Sequence, residues 1–251
     1  MDTVRLGFPD ASLHEASAAA VARVLEAHEL EVEYVPIAPD ALPGALAGSD
    51  EGGSIDLFAA AWLPLTDAAM VASGHMEPLG LLYRPAFIWT AADNNLANIG
   101  DIVAAASLDR RICVSSTGPA ALLAARALKA YGLDAAGFVL EQVSDDAALE
   151  WAEAADPTRI VPLCRPHALL HRSGLHALED PLAALGPEQE ARLLIRHDLR
   201  DILDSDLIDE LDELTLGNKV VSAMAYAMRV EGMSAEEAAD AWQRGKLTPR
   251  A

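Results

Sequence analysis

Seven histidines, two cysteines and an excess of acidic over basic residues, 39 against 18, are the groups in this chain able to support metal, nucleophilic or acid–base chemistry. Their spacing decides which of these is open. His14, His28, His75, His176 and His197 are scattered, and only His167 and His171 stand four apart, where two imidazoles chelate a metal if the segment is helical. Ala168, not Glu, follows the first of the pair, so no HExxH site exists and the two read as exposed or core histidines. Cys113 and Cys164 lack CxxC spacing and are too few for a disulfide framework, although a single bridge stays open. No Gly-x-Ser-x-Gly elbow presents a serine nucleophile. The adjacent acids Asp145-Asp146 and Glu236-Glu237 fall at predicted helix starts, where they complement the helix dipole. Ser115-Ser116-Thr117-Gly118-Pro119 lies between a strand and a helix, where backbone N–H groups meet an anion or the hydroxyls cap the helix; it lacks the lysine and glycine spacing of a P-loop. The expectation is a protein without catalytic residues, metal or cofactor.

The elements that must position these groups follow from periodicity. Val4, Leu6 and Phe8 alternate with Arg5 and Gly7, a strand that ends at Pro9-Asp10. Ser12 and Glu15 have capping-box spacing, and Ala18, Val21, Val24 and Leu25 form an apolar helical face. Residues 31–37 alternate again, residues 40–47 read as a short helix, and residues 54–61 form an apolar strand entering Trp62-Leu63-Pro64. This β-α-β-α-β order predicts a parallel sheet. A second α/β unit starts with strands at 86–90 and 111–115, a helix from Pro119 to Tyr131 stopped by Gly132, a strand at 137–143, a helix opened by Ser144, and a strand at 159–164. From Pro187 onward the pattern predicts helices only, at 198–214, 218–230 and 234–243, the last opened by the Ser234/Glu237 box.

With 251 residues, 52% hydrophobic and 23% charged, the chain has a globular composition. Its net charge of −21 repels nucleic-acid backbones and anionic lipid surfaces, which excludes a nucleic-acid partner. No run of eighteen apolar residues lacks a charge, and the first residues show no basic segment followed by an apolar one. Either the protein is cytoplasmic or a signal segment has been trimmed.

The run Gly53-Ser54-Ile55-Asp56-Leu57-Phe58-Ala59-Ala60-Ala61-Trp62-Leu63-Pro64 resembles the signature of the substrate-binding proteins of ABC transporters for glycine betaine, choline and proline betaine. Leu6-Gly7-Phe8, Arg165-Pro166-His167, Leu178-Glu179-Asp180-Pro181 and the closing segment from Glu231 to Trp242 are similar to further family segments in the same order. The resemblance implies an α/β, type II periplasmic-binding fold: two lobes with parallel-rich sheets flanked by helices and a ligand cleft between them. Residues 1–86 with 191–251 would form lobe one and residues 87–190 lobe two. It also implies a non-enzymatic component of an ABC importer, with a small solute and a permease as partners, working in the periplasm or at the outer membrane face. The alternative is a cytoplasmic or divergent sensor of the same fold.

Such proteins hold a quaternary ammonium against aromatic faces, each worth about 0.5–2 kcal/mol. Trp62 stands at the family's first-lobe tryptophan, but Cys164 replaces the tryptophan expected before the Pro-His pair, and Ala168 and Ala11 replace two further aromatics. Losing two faces costs roughly 1–4 kcal/mol, so simple glycine betaine binding requires Phe8, Tyr83 or Trp89 as a replacement wall. Asp67 stands where betaine binders often carry histidine; it either contacts a cationic or hydroxyl-bearing ligand or caps the helix after it. The resulting ligand set is Trp62, Asp67, Asp10, His14, Phe8 and Tyr83 on lobe one, with Ser115, Ser116, Thr117, Cys164, His167 and Trp89 on lobe two.

Overall fold

Alternation puts Val4, Leu6 and Phe8 into a core from β1 (Thr3–Pro9), where none is more than 4% exposed. The computed structural model describes residues 3–38, 55–72, 74–116, 119–154, 156–171 and 174–247. The helix expected at 40–47 and Thr117 lie outside them. The chain divides into two compact units, Met1–Pro85 with Gln189–Ala251, and Ala86–Glu188. After β1 come α1 (Ser12–Ala27), β2 (Glu31–Ile37), β3 (Leu57–Leu63), α2 (Ala68–Ala72) and β4 (Met76–Tyr83). The second unit holds β5 (Ala86–Ala91), a 3-10 helix (Ile99–Ala104), β6 (Arg111–Ser115), α3 (Ala120–Ala130), β7 (Val139–Val143), α4 (Asp145–Glu153), β8 (Val161–Arg165), α5 (Ala168–His171) and β9 (His176–Ala177). The chain then returns through β10 (Glu190–Arg196), α6 (His197–Arg200), α7 (Ser205–Glu213), α8 (Asn218–Glu231) and α9 (Ala235–Gln243).

The first unit is built on a five-stranded sheet in the order β2-β1-β3-β10-β4. β1 runs parallel to β2 and β3, as the β-α-β order requires, whereas β10 lies antiparallel between β3 and β4. A helical tail without strands is therefore wrong for residues 190–196. In this stretch Ala191, Leu193, Leu194 and Ile195 are all fully buried, and a strand covered on both faces reads as a continuous apolar run that periodicity does not distinguish from a buried helix. The helix expected over 198–214 is likewise broken into α6 and α7, with the Asp204 carboxylate capping the Asp206 N–H at 2.8 Å. Gly80 in β4 serves close approach, because a Cβ there would stand 2.3 Å from the Leu211 carbonyl oxygen of α7.

Asp56, 4% exposed, fastens the sheet at its centre. Its carboxylate accepts from the Arg5 N–H of β1 at 2.9 Å and from Arg196 Nη1 of β10 at 2.6 Å. Backbone bonds run alongside, from Asp56 N–H to Arg5 O and from Arg196 N–H to Asp56 O. α1 begins at Ser12 with Ala11 in the N-cap position, so Ser12 stands at the first helical residue and not at the cap that the Ser12/Glu15 box assigns to it. The Ser234/Glu237 box on α9 does form, with bonds of 2.8 and 3.1 Å.

In the second unit β6 and β7 pair in parallel, and β8-β5-β9 form an antiparallel sheet. Trp89, Ile99, Ile102, Ile112 and Leu133 fill its core. Tyr131 donates its hydroxyl proton to Asp180 at 2.6 Å while its oxygen accepts from the Leu182 N–H at 2.9 Å. Asp180 also accepts from Leu185 N–H at 2.7 Å, so this acid of the Leu-Glu-Asp-Pro segment is a structural acceptor. Both cysteines are free thiols.

Removing the charge of Asp56 tests its role. Asp56→Asn is expected to cost roughly 2–4 kcal/mol, since a nearly buried ion pair and its strand-bridging bonds are lost together. Urea unfolding should show this as a lower midpoint.

Candidate functional site

On the first unit the site is organised by an irregularity in β3. Leu63, Trp62 and Ala61 pair with Glu190, Ala191 and Arg192, while Phe58 and Leu57 pair with Leu194 and Ile195. Ala59 and Ala60 thus face the single residue Leu193, a β-bulge, and Ala60 has φ of +65°, a left-handed conformation. The extra residue inverts the alternation. Phe58, Ala61 and Leu63 join one core cluster, whereas Leu57, Ala59, Ala60 and Trp62 belong to the cluster around α1. Without the bulge Trp62 would share the face of Phe58; with it, the indole meets His14 of α1, ring centroids 5.6 Å apart and planes tilted 45°.

The indole is fixed from three sides. Its Nε1–H donates to the Tyr83 hydroxyl at 3.2 Å, and its backbone N–H donates to the Asp67 carboxylate at 2.6 Å. The Asp67 N–H returns to the Trp62 carbonyl at 2.9 Å, which closes the turn after β3. Gln189, buried at 4% exposure, holds that turn from β10's leading edge: its Oε1 accepts from Leu65 and Thr66 N–H at 3.3 and 2.9 Å, and its Nε2 donates to Thr66 Oγ1 at 3.0 Å. Sequence reasoning missed Gln189, a lone amide with no motif around it. Burial drives the His14 pKa down to about 4, so the ring beside Trp62 is neutral. Its Nδ1 has no hydrogen-bond partner among the described residues. Burial also raises the Asp67 carboxyl above its ordinary range, opposed by the Trp62 N–H.

On the second unit a cavity of about 280 Å³ opens where the end of β6 meets α3, α4 and β8. Phe87, Leu149, Leu163 and Cys164 form apolar walls, and Ser115 and His167 supply polar edges. His167 Nδ1 accepts the Leu169 N–H at 3.1 Å, so the neutral ring carries its proton on Nε2. The Cys164 thiol is pushed up to about 12 by burial and stays uncharged. No group of three potential metal ligands occurs among the described residues.

Comparison with known proteins now places the chain. The profile of the family described as the substrate binding domain of ABC-type glycine betaine transport systems matches residues 2–244. The chain belongs to this family. It is therefore a solute-binding component of an ABC importer, a transport class rather than an enzyme class. Solved structures with the same fold include lactococcal OpuAC complexed with glycine betaine, 20% identical, covering 98% of this chain and 96% of that one with a TM-score of 0.72. ProX from Borrelia burgdorferi, a glycine betaine, L-proline transporter's binding protein, is 18% identical over 95% and 91% of the two chains, TM-score 0.69. An ABC-transporter choline binding protein in complex with choline is 18% identical over 98% and 90%, TM-score 0.67. No curated protein sequence matches.

Within this family fold the expected aromatic replacements are accounted for by packing. Phe8 and Trp89 are core side chains, at 4% and 1% exposure, and form no exposed wall; Phe8 stands edge-on to Tyr34 at 6.4 Å. Tyr83, equally buried, acts through Trp62. Asp67 turns its carboxylate onto Trp62 N–H instead of capping α2. Asp10 is exposed and its N–H donates to Ile37 O; Ser116 is exposed and its N–H donates to Val143 O. The helix opened by Ser144 carries Trp151, whose ring is covered by Arg159 at 3.9 Å and Arg111 at 5.3 Å.

Two substitutions test this arrangement. Ala60→Gly should leave stability within about 1 kcal/mol, trading a small lost methyl against relief at positive φ, whereas Ala60→Val should cost roughly 2 kcal/mol or more. Chemical denaturation resolves the difference. His14 favours its neutral form in the fold, so between pH 6.5 and about 4 the unfolded chain binds a proton that the folded chain does not, and stability falls as pH drops through that window. His14→Phe keeps a ring against Trp62 and removes this loss. The melting temperature of the variant relative to the parent should therefore rise from pH 7 to pH 4; the opposing Asp67 contribution is common to both proteins and cancels.

Proposed function

We propose that this protein captures a small quaternary-ammonium or related cationic or zwitterionic solute of the choline or betaine type and delivers it to an ABC permease from outside the cytoplasmic membrane. No helix among the described residues is long and apolar enough to cross a membrane. The observation that carries the reading is the state of Trp62. Its Nε1–H is engaged by Tyr83 and its backbone N–H by Asp67, so it recognises a ligand through the negative face of the ring. A cation without hydrogen-bond donors is what such a face suits, worth about 0.5–2 kcal/mol. The neutral His14 adds no competing positive charge beside it.

Tyr83, Asp67 and Gln189 serve as positioning residues for the indole. Glycine betaine, which gives the family its description, and the choline of one structural neighbour set the ligand class to be tested. Titration calorimetry against choline, glycine betaine, proline betaine, carnitine and trimethylamine oxide should find at least one that binds one to one. Trp62→Ala should weaken that ligand by roughly tenfold, with Trp62→Phe intermediate. No heat and no thermal shift with any of the five, on folded protein, would overturn the assignment.

A further inference from the structure

The corner at which α8 turns into α9 holds a cavity of about 320 Å³ within the first unit, lined by Glu15 of α1, by Met228 and Arg229 of α8, and by Met233 to Glu236. Glu15, Arg229, Ser234 and Glu236 are exposed, so solvent reaches the lining. Two of the chain's six methionines meet there. Met70, Met76 and Met224 are at most 6% exposed, whereas Met228 and Met233 are half-buried, so these two hold the accessible thioethers among the described residues. They also fill a joint. Met228 packs against the main core and against the small cluster of Ala19, Ala235 and Ala239 that joins α1 to α9. The alanines bring only methyl groups, so the long, adaptable thioether side chain closes the space between the helices. Met233 packs on the same core, and its N–H donates to the Ala227 carbonyl at 3.2 Å across the turn made by left-handed Gly232.

We propose that Met228 and Met233 form an oxidation site, at which a neutral peroxide converts the thioethers to sulfoxides and thereby loosens α9 from α1 and α8. In each step a sulfur lone pair attacks one peroxide oxygen and the O–O bond breaks; the sulfur is oxidised to S=O and the second oxygen leaves as water. Reduction by two thiols reverses it, the sulfoxide oxygen departing as water while the thiols close a disulfide. The new group is a polar acceptor, and the lining has little to satisfy it. Glu15 and Glu236 are themselves acceptors when ionised. The Ser234 hydroxyl already accepts from the Glu237 N–H at 3.1 Å and donates to the Glu236 carboxylate at 3.5 Å, and Arg229 is already engaged. An S=O turned toward Ala19, Ala235 and Ala239 meets no donor at all. α9 has nine residues, too few to hold its helix without that packing. This holds whatever solute the protein carries.

The test adds hydrogen peroxide to the full chain and follows peptide masses and the thermal melt together. Met228 and Met233 should each gain one oxygen before Met70, Met76 or Met224 does, and the melting temperature should fall by about 4 °C or more as they react. Methionine sulfoxide reductases for both epimers, supplied with a dithiol, should restore it. The double variant Met228→Leu with Met233→Leu nearly conserves volume and should keep its melting temperature through the same treatment. Recovery of the parent by the reductases decides the matter where that variant does not fold. The proposal is overturned if the pair resists peroxide, if the pair is oxidised with no fall in melting temperature, if the fall follows oxidation of the buried methionines instead, or if the double variant falls as far as the parent.

Discussion

One extra residue in β3 decides which way the tryptophan of the site faces. Side chains alternate along a strand with a period of two, so any odd insertion exchanges the two faces beyond it. Ala59 and Ala60 share one partner on β10, and Trp62 consequently emerges toward α1 and His14 instead of joining Phe58. The left-handed backbone of Ala60 is the local cost, carried by a residue whose only side-chain atom is a methyl. The three consecutive alanines from Ala59 to Ala61 are what this geometry needs: small side chains that fit on either face of a fully buried strand.

The bulge exists only because β10 is there to define it, and β10 is held by Asp56. A carboxylate almost removed from water requires a positive partner and further donors, which here come from β10 and β1. The ion pair fixes the returning strand in register, that register places Gln189 under the turn after β3, and Gln189 and Asp67 then hold the backbone on which Trp62 sits. Asp56 is an acid of the family-like signature whose carboxylate is engaged by Arg5 and Arg196; the chemistry it shows is structural. The same holds for Asp180 and for the Ser234/Glu237 box. Part of a recognisable sequence signature is thus the scaffold's own polar pairing, with Asp56 and Asp180 each accepting from more than one donor.

The sequence showed this scaffold best where structure is local. The β1 alternation and the α9 capping box depend on neighbours within a few residues and were legible, and the parallel β1–β2 and β1–β3 pairs, although they join distant residues, followed from the β-α-β order. β10 was not, because burial on both faces erases the polar half of the period-two pattern, and the bulge was not, because no glycine marks the left-handed residue. For the site, Trp62 and His14 were legible as residue types, but their contact depends on the bulge. Phe8 and Trp89 were misread as possible walls since an aromatic near a motif looks the same in sequence whether its ring points to ligand or core.

The electrostatics of the site run opposite to those of the whole molecule. The chain carries −21 formal charge, yet burial leaves His14 and Cys164 neutral and raises the Asp67 carboxyl, so the groups around both candidate surfaces lean toward their uncharged forms. These two scales do different work. A diffuse negative field concentrates cations near the protein over a Debye length of about 8 Å at physiological salt, raising encounter rates without selecting among them. On the proposed reading, selection then falls to a short-range contact that does not act on charge alone, the π face of Trp62. A bare carboxylate would bind any small cation, including hydrated inorganic ones, whereas a ring face favours cations whose charge is wrapped in carbon. On the proposed reading, a ring face beside the neutral His14 on an acidic protein is a coherent way to tell an organic ammonium from the salts that accompany it.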